Sequence, residues 1–267
     1  MSHEGDTRGP GTTGPEITIE QLHTEKQFRE AVALQKTIWG FADIELLPVR
    51  LFVVATKVGG HAFGAYDKRR MIAFCLAIPG LKPGGKAYLH SHMLGVLPEY
   101  RNFGIGRRLK LRQREVAIDL GINLIEWTFD PLEIRNAWFN MERLGAVVRR
   151  YVRNQYGTTT SHLHGGLPTD RCIAEWYIRS DRVEAAVAGR PLPRPEVVER
   201  VDLPANISDI RREDPDRART IQADLADRFE SCFGRGLAVI GIEKNAERGT
   251  YLFGEWAVGQ LPAGVLS

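Results

Sequence analysis

Val96-Leu97-Pro98-Glu99-Tyr100-Arg101-Asn102-Phe103-Gly104-Ile105-Gly106-Arg107 decides the fold of this chain. An apolar run ends at Val96, and Pro98, which cannot donate to a sheet ladder, closes it. Arg101-x-x-Gly104-x-Gly106 follows. Leu109, Leu111, Val116 and Leu120 then recur in a long helical pattern that Gly121 stops. A strand, a glycine turn and a helix start bring backbone N–H groups to one point. The first-turn N–H groups of a helix lack partners within it, and its dipole favours negative charge, so such a turn is an anion site. Glycines let the backbone approach a ligand closely. Arg101, Arg107 and Arg108 add positive charge. An ordinary strand-to-helix turn with surface arginines is the plainer alternative.

The flanks narrow the choice. A phosphate-binding Walker A loop needs Gly-Lys-Ser/Thr after four spacer residues, which is absent here. A dinucleotide fingerprint needs a third glycine where Leu109 stands. Arg-x-x-Gly-x-Gly after Val-x-Pro resembles the acyl-CoA pyrophosphate loop of the GNAT superfamily of N-acyltransferases, and the resemblance runs from about Ile17 to Ile178. It implies that Arg101, Asn102, Phe103, Gly104, Ile105, Gly106 and Arg107 hold the pyrophosphate of an acyl-CoA.

Outward from the turn, the pattern alternates strands and helices. Ile17 to Leu22 alternates as a strand, and Phe28, Val32 and Ile38 place a helix from Glu25 to Trp39, ended by Gly40. Pro48 opens a second helix through Lys57. His61–Tyr66 and Met71–Ile78 form a hairpin around Asp67-Lys68-Arg69-Arg70, with a loop from Pro79 to Gly85. Ala87 to Val96 is the strand that feeds the turn. The pattern then predicts a helix at 104–120, a strand from Ile122 to Thr128, a helix from Leu132 to Leu144, and strands from Val147 to Arg153 and Cys172 to Ile178. This is a mixed α+β order. The resemblance implies a splayed mixed sheet flanked by helices, parting between the strand that ends at Val96 and the one that ends at Thr128.

After Ser180 the composition shifts. Gly189 to Pro195 is a proline-rich connector. A short strand (Val197 to Val201), a helix from about Asp214 to Phe233 and a hairpin (Leu237 to Ile242, Thr250 to Trp256) follow. Ala218, Ile221, Leu225 and Phe229 line one helix face that must dock on something. The expected organisation is a disordered tail at 1–16, an acyltransferase unit at 17–180 and a C-terminal α/β extension at 181–267 packed on it.

Composition bounds the function. At 43% apolar, the 267 residues can bury a real core, and no apolar run is long enough to span a membrane. The first sixteen residues lack the apolar segment of a signal peptide. Cys75, Cys172 and Cys232 lie far apart with no Cys-x-x-Cys, so neither a disulfide framework nor a metal site is indicated, and a cytoplasmic location follows. A net charge of +3 does not demand nucleic acid. Arg149-Arg150 and Arg211-Arg212 read as solvated faces or local patches. A monomer or a homodimer is expected.

His90-Ser91-His92 carries the candidate chemistry. Side chains two apart on a strand share a face, and imidazole takes a proton near neutral pH. Two structural histidines at a sheet edge are the alternative. His90 and His92 stand eleven and nine residues before Arg101. Those offsets match the His-x-His pair of the arylalkylamine N-acetyltransferases, a GNAT branch in which the pair helps deprotonate the amine. Their shared titration is expected within a unit or so of the ordinary imidazole value of about 6.5. The resemblance further implies that Met93, Leu94 and Val96 act through their backbones, with Leu94 N–H polarising the thioester carbonyl. Asn136-Ala137 through Leu144-Gly145 resembles the second GNAT signature, in which the Asn meets the pantetheine arm and a Tyr protonates the leaving thiolate. Asn136 matches the first role; Met141 stands in the Tyr position and cannot donate a proton. Tyr151 and Tyr156 are substitutes or structural residues. Asp130 caps the helix near Leu132 or orients an amine, and Asp170-Arg171 are further polar candidates. The resulting expectation is an N-acyltransferase that uses acetyl-CoA or another acyl-CoA and transfers directly to a primary amine. A non-catalytic acyl-CoA-binding module and a relative with another acyl donor are the rivals.

Overall fold

The computed structural model describes residues 16–157 and 166–256. Nearly all of the tail expected at 1–16 lies outside the described residues. Strand β1 (Ile17–Gln21) leads to helix α1 (Glu25–Trp39). Thr24 and Gln27 cap that helix reciprocally: Gln27 N–H donates to Thr24 Oγ1 at 3.3 Å, and Thr24 N–H donates to Gln27 Oε1 at 3.0 Å. Gly40 closes it in the left-handed conformation, at φ 67°. Helix α2 (Val49–Lys57) has Pro48 just outside its first turn. Strands β2 (His61–Asp67), β3 (Arg70–Leu81) and β4 (Ala87–Val96) follow, then α3 (Ile105–Asp119), β5 (Leu124–Phe129) and α4 (Ile134–Trp138). Strand β3 runs on through Pro79 and Gly80, which the sequence placed in a loop, because β4 pairs with it as far as Leu81↔Ala87. Strands β6 (Val147–Val152) and β7 (Arg171–Tyr177) complete the first part.

The C-terminal part adds α5 (Asp181–Val187), β8 (Glu199–Pro204), α6 (Ile207–Glu213), α7 (Pro215–Gly234), β9 (Leu237–Lys244) and β10 (Arg248–Glu255). The short helices α5 and α6 were not foreseen. Seven residues carry too few turns for a periodicity signal, although Ser180 caps α5 through Val183 N–H.

All ten described strands form one sheet in the order β1-β2-β3-β4-β5-β7-β6-β9-β10-β8. Only β4 and β5 run parallel, and they pair at just two positions, Leu89↔Ile125 and His90↔Glu126. Past these the strands part, which is the splay expected from the resemblance. One large core cluster joins α3, α4, β5, β6 and β7 to α6, α7, β9 and β10, while a second lies between α1, α2, α3 and strands β1 to β4. The face of α7 docks into the first, with Ala218, Leu225 and Phe229 buried and Ile221 packed against them. Among the described residues no helix is long and apolar enough to cross a membrane.

Candidate active site

The site is built where β4 leaves β5. Pairing between β3 and β4 shifts from Leu76↔Met93 to Ala77↔Ser91, so His92 is an extra residue on β4, a β-bulge. The bulge re-aims the strand. Ser91 donates to Gln113 Oε1 of α3 at 2.9 Å, and three residues later Leu94 again faces α3, its Cδ2 3.6 Å from where a Cβ on Gly106 would stand. A regular strand would put residues 91 and 94 on opposite faces. Gly95 then faces the other way, where a Cβ would come within 2.6 Å of the Trp39 ring. The glycine is what lets the end of α1 lie on β4.

His90 and His92 share one face, with ring centroids 5.8 Å apart. Burial lowers both below the ordinary imidazole value. His90 falls to about 4, because His92, Lys110 and Lys82 add to its desolvation; burial alone acts on His92. The expectation that the pair titrates within a unit of the ordinary value therefore fails for His90. Beside His90 on β5, Glu126 is buried and accepts from Lys82 Nζ and Arg150 Nη2, both at 2.6 Å. Glu175 on β7 accepts from Arg149 at 2.6 Å and from the Tyr177 hydroxyl at 2.9 Å. This ion network lines the histidine side of the sheet next to the pair, and the charge pattern of the sequence did not locate it.

At the far end of β4 the chain turns through Arg101, Asn102 and Phe103 into α3. Asn102 (φ 72°) and Gly104 (φ 73°) both take the left-handed conformation, and Gly104 is the N-cap of α3 without any side-chain cap. The first-turn N–H groups of Ile105, Gly106 and Arg107 therefore lack both helix partners and a capping side chain. A Cβ on Gly104 would meet nothing within 4 Å, so the approach to the turn is open. This arrangement fits a phosphate. Arg101 is exposed beside it. The guanidinium of Arg107 is committed elsewhere, donating to the Ala186 and Val187 carbonyls of α5 at 3.1 and 2.8 Å. Arg108 donates to the Ile17 carbonyl at 2.7 Å. Arg107 thus belongs to the turn through its backbone, and its expected charge contribution is redirected.

The second signature is rearranged. The helix expected from Leu132 to Leu144 is a short α4 followed by a π-helical turn, Phe139–Arg143. Asn136 is exposed on α4 and Met141 is fully buried. The asparagine that faces inward is Asn140, which accepts from Trp127 Nε1 at 3.3 Å and leaves its own Nδ2 buried without a partner. Its place one residue before Met141 was the available signal. Tyr151 is held by Asp170 at 2.7 Å, and Asp170 also accepts from Asn154 N–H, so both are structural. Tyr156 sits at the splay, its hydroxyl 2.9 Å from Thr128 Oγ1. Asp130 accepts from Leu132 N–H at 2.8 Å and pairs with Arg211 of α6 at 3.0 Å, so it caps the break after β5.

The model of the Acetyltransferase (GNAT) family matches residues 23–145. Among curated proteins, none matches the chain. The structure is similar to that of Arabidopsis thaliana NAA60 in complex with acetyl-CoA, at 14% identity and a TM-score of 0.50, covering 61% of this chain and 98% of that one. Arabidopsis thaliana Naa50 in complex with the bisubstrate analogue CoA-Ac-MVNAL has 16% identity, a TM-score of 0.47 and coverage of 60% and 97%. The ribosomal-protein-S18-alanine N-acetyltransferase of Escherichia coli has 20% identity, a TM-score of 0.46 and coverage of 60% and 92%. Residues 23–145, which hold the splay of the sheet and the glycine turn into α3, form a domain that matches the Acetyltransferase (GNAT) family.

Proposed function

We propose that the protein transfers an acyl group, acetyl being the expected one, from an acyl-CoA directly to a primary amine. The observation that carries this reading is the layout of one strand. Along β4 lie a histidine pair at the splay, a bulge at His92 and an open anion turn at the strand's end. Base, backbone donors and phosphate site thus follow one another in the order an extended thioester substrate needs.

In this mechanism the turn from Arg101 to Arg107 holds the pyrophosphate through backbone N–H groups, with Arg101 adding charge. Past His90, β4 has no ladder partner on the β5 side, which frees backbone groups for the pantetheine arm near Val96 and Met93. Leu94 N–H stabilises the developing oxyanion; a fixed donor of this kind contributes roughly 3 kcal/mol in other acyl transfers. His92 or His90 takes the amine proton, directly or through water, and His92 is the better base because no cation depresses it. Asn136, exposed on α4, is the residue this reading assigns to the pantetheine arm. The three buried thiols support a reducing cytoplasm as the compartment.

Release of CoA thiol from acetyl-CoA in the presence of mixed primary amines is the test, with native mass spectrometry of the purified protein to identify a co-purified acyl-CoA. Amine-dependent thiol release is the expected result. Met141, buried in the position of the usual acid, favours a second reading, an acyl-CoA-binding module without turnover. Tight acetyl-CoA binding without thiol release across the amine panel would establish that reading instead.

A further inference from the structure

The sheet face opposite the histidines holds a polar cluster that the scheme above leaves unused. Lys110 of α3 is buried, and among the described residues no carboxylate pairs with it. Its Nζ donates to Ser91 Oγ at 2.8 Å and lies 3.5 Å from the centre of the Trp127 ring. Ser91 and Trp127 are the residues that directly follow the last β4–β5 pair, His90↔Glu126. The ammonium therefore spans the apex of the splay, touching both parting strands.

Donors outnumber acceptors here. Ser91 passes its proton to Gln113 Oε1, which leaves Gln113 Nε2 buried with no partner. Trp127 Nε1 occupies Asn140 Oδ1, which leaves Asn140 Nδ2 buried with no partner. A buried ammonium and two buried amide donors without acceptors are costly in the free protein. A ligand that brings acceptor atoms to the apex would satisfy all three.

We propose that Lys110 protonates the sulfur that departs in acyl transfer, the task for which Met141 leaves α4 without an acid. This rests on the acyl-transfer reading above. The acceptor nitrogen attacks the thioester carbonyl carbon and the C–N bond forms. The C–S bond breaks with its electron pair going to sulfur, and sulfur takes a proton from Lys110 Nζ. The proton of the acceptor nitrogen goes to His92 or His90. Solvent then returns one proton to the lysine and removes one from the imidazole. Burial pushes Lys110 down from the ordinary lysine value to about 7, with Cys75 acting in the opposite direction, and an acid of that strength releases a proton near neutrality. The other titratable groups near it are His61 on β2, Cys75 on β3 and His90 on β4. Burial keeps both histidines neutral, at about 4, and the thiol protonated, at about 12. Lys110 is thus the member of this group that changes charge near neutral pH, beside the fixed charge of Arg112.

The test compares two acetyl donors in the full-length protein: acetyl-CoA, and an acetyl thioester of an electron-poor aryl thiol, whose thiolate leaves without a proton. Lys110→Met should lower turnover with acetyl-CoA by ~10²-fold, the usual range for an acid catalyst, and abolish the basic limb of its pH profile. The same variant should match wild type with the aryl donor. Equal losses with both donors would mean a structural lysine, and no loss with acetyl-CoA would remove the role; either overturns the proposal. If Lys110→Met does not fold, Ser91→Ala, which keeps the lysine and removes the hydrogen bonds that Ser91 Oγ makes with Nζ and with Gln113 Oε1, carries the same comparison. Wild-type protein that releases no thiol with any amine overturns the acyl-transfer reading itself, and this proposal with it.

Discussion

Two imidazoles on one face of a buried strand do not titrate as they do in water. Both histidines of the pair are held neutral in the folded protein by burial, and His90 further by His92, Lys110 and Lys82. The unfolded chain binds protons through the ordinary range near 6.5, while folded His90 does so only near 4. The stability contributed by neutral His90 is therefore complete above the ordinary value and is lost as pH falls toward 4. The acidic limb of kcat/KM is expected below the ordinary imidazole value as well; a limb at or above 6.5 would show that neither ring is the base. Changing His92 to Gln should lower kcat by ~10²-fold or more, and by more than changing His90 to Gln. The double variant should fall well short of the product of the two losses, because groups acting as a unit are non-additive. Affinity for acetyl-CoA should stay the same in all three, as measured by calorimetry.

The working element is the unit from β4 through the turn to α3. Gly104→Glu tests it. The added Cβ meets open space, so the structural cost is the left-handed backbone alone, about 1 kcal/mol. The carboxylate, however, stands at an uncapped helix N-terminus where an anion is to bind. Acetyl-CoA affinity should fall at least tenfold with a melting temperature only slightly reduced, and unchanged affinity would remove the phosphate assignment. Arg107→Met should do the opposite. It removes two hydrogen bonds to the last carbonyls of α5, a stabilising place for a cation, so a loss of about 1–2 kcal/mol in stability is expected. Affinity for acetyl-CoA should hardly change; a large loss of affinity with unchanged stability would return the guanidinium to the anion site.

At the scale of the whole molecule, the C-terminal part shares the core of the transferase unit. Phe229 of α7 packs edge-on against Tyr251 and Phe253 of β10 and against Tyr151 of β6, with ring centres 4.9, 5.0 and 5.8 Å away. Arg211 of α6 and the Tyr251 hydroxyl hold the break at Asp130-Pro131, just before α4. Arg182 of α5 is buried and donates to the carbonyls of Gly145, Met141, Pro193 and Ile240, which lie on both sides of the junction. Burial lowers its pKa to about 10, so it stays charged at neutral pH. We therefore propose that the described residues after Ser180, through Trp256, form an extension folded onto the described part of the unit at 17–180. Truncation after Ser180 should abolish a cooperative melting transition at the full-length temperature; a fragment that melts as high as the whole chain would show an independent module. Arg182→Met, which strands four carbonyls, should cost on the order of 3 kcal/mol in chemical denaturation.

The sequence by itself determined the order and most boundaries of the elements from β1 to β7. Their signals are local: the cap at Thr24, the stops at Gly40 and Gly121, the proline at 98, the apolar runs of β2 and β3. It also determined the uncapped turn into α3, because helix ends and left-handed glycines follow from short-range backbone geometry. Tertiary structure alone decided the rest. The bulge at His92 exists in the register between β3 and β4, and single-strand alternation cannot record it. The redirection of Arg107 depends on where α5 ends, about eighty residues away in the chain. The ten-strand sheet depends on a pairing between β6 and β9 at Val148↔Val239. The depressed basicity of His90 and Lys110 comes from burial and from charges on neighbouring elements, and neither quantity is a property of any stretch of sequence.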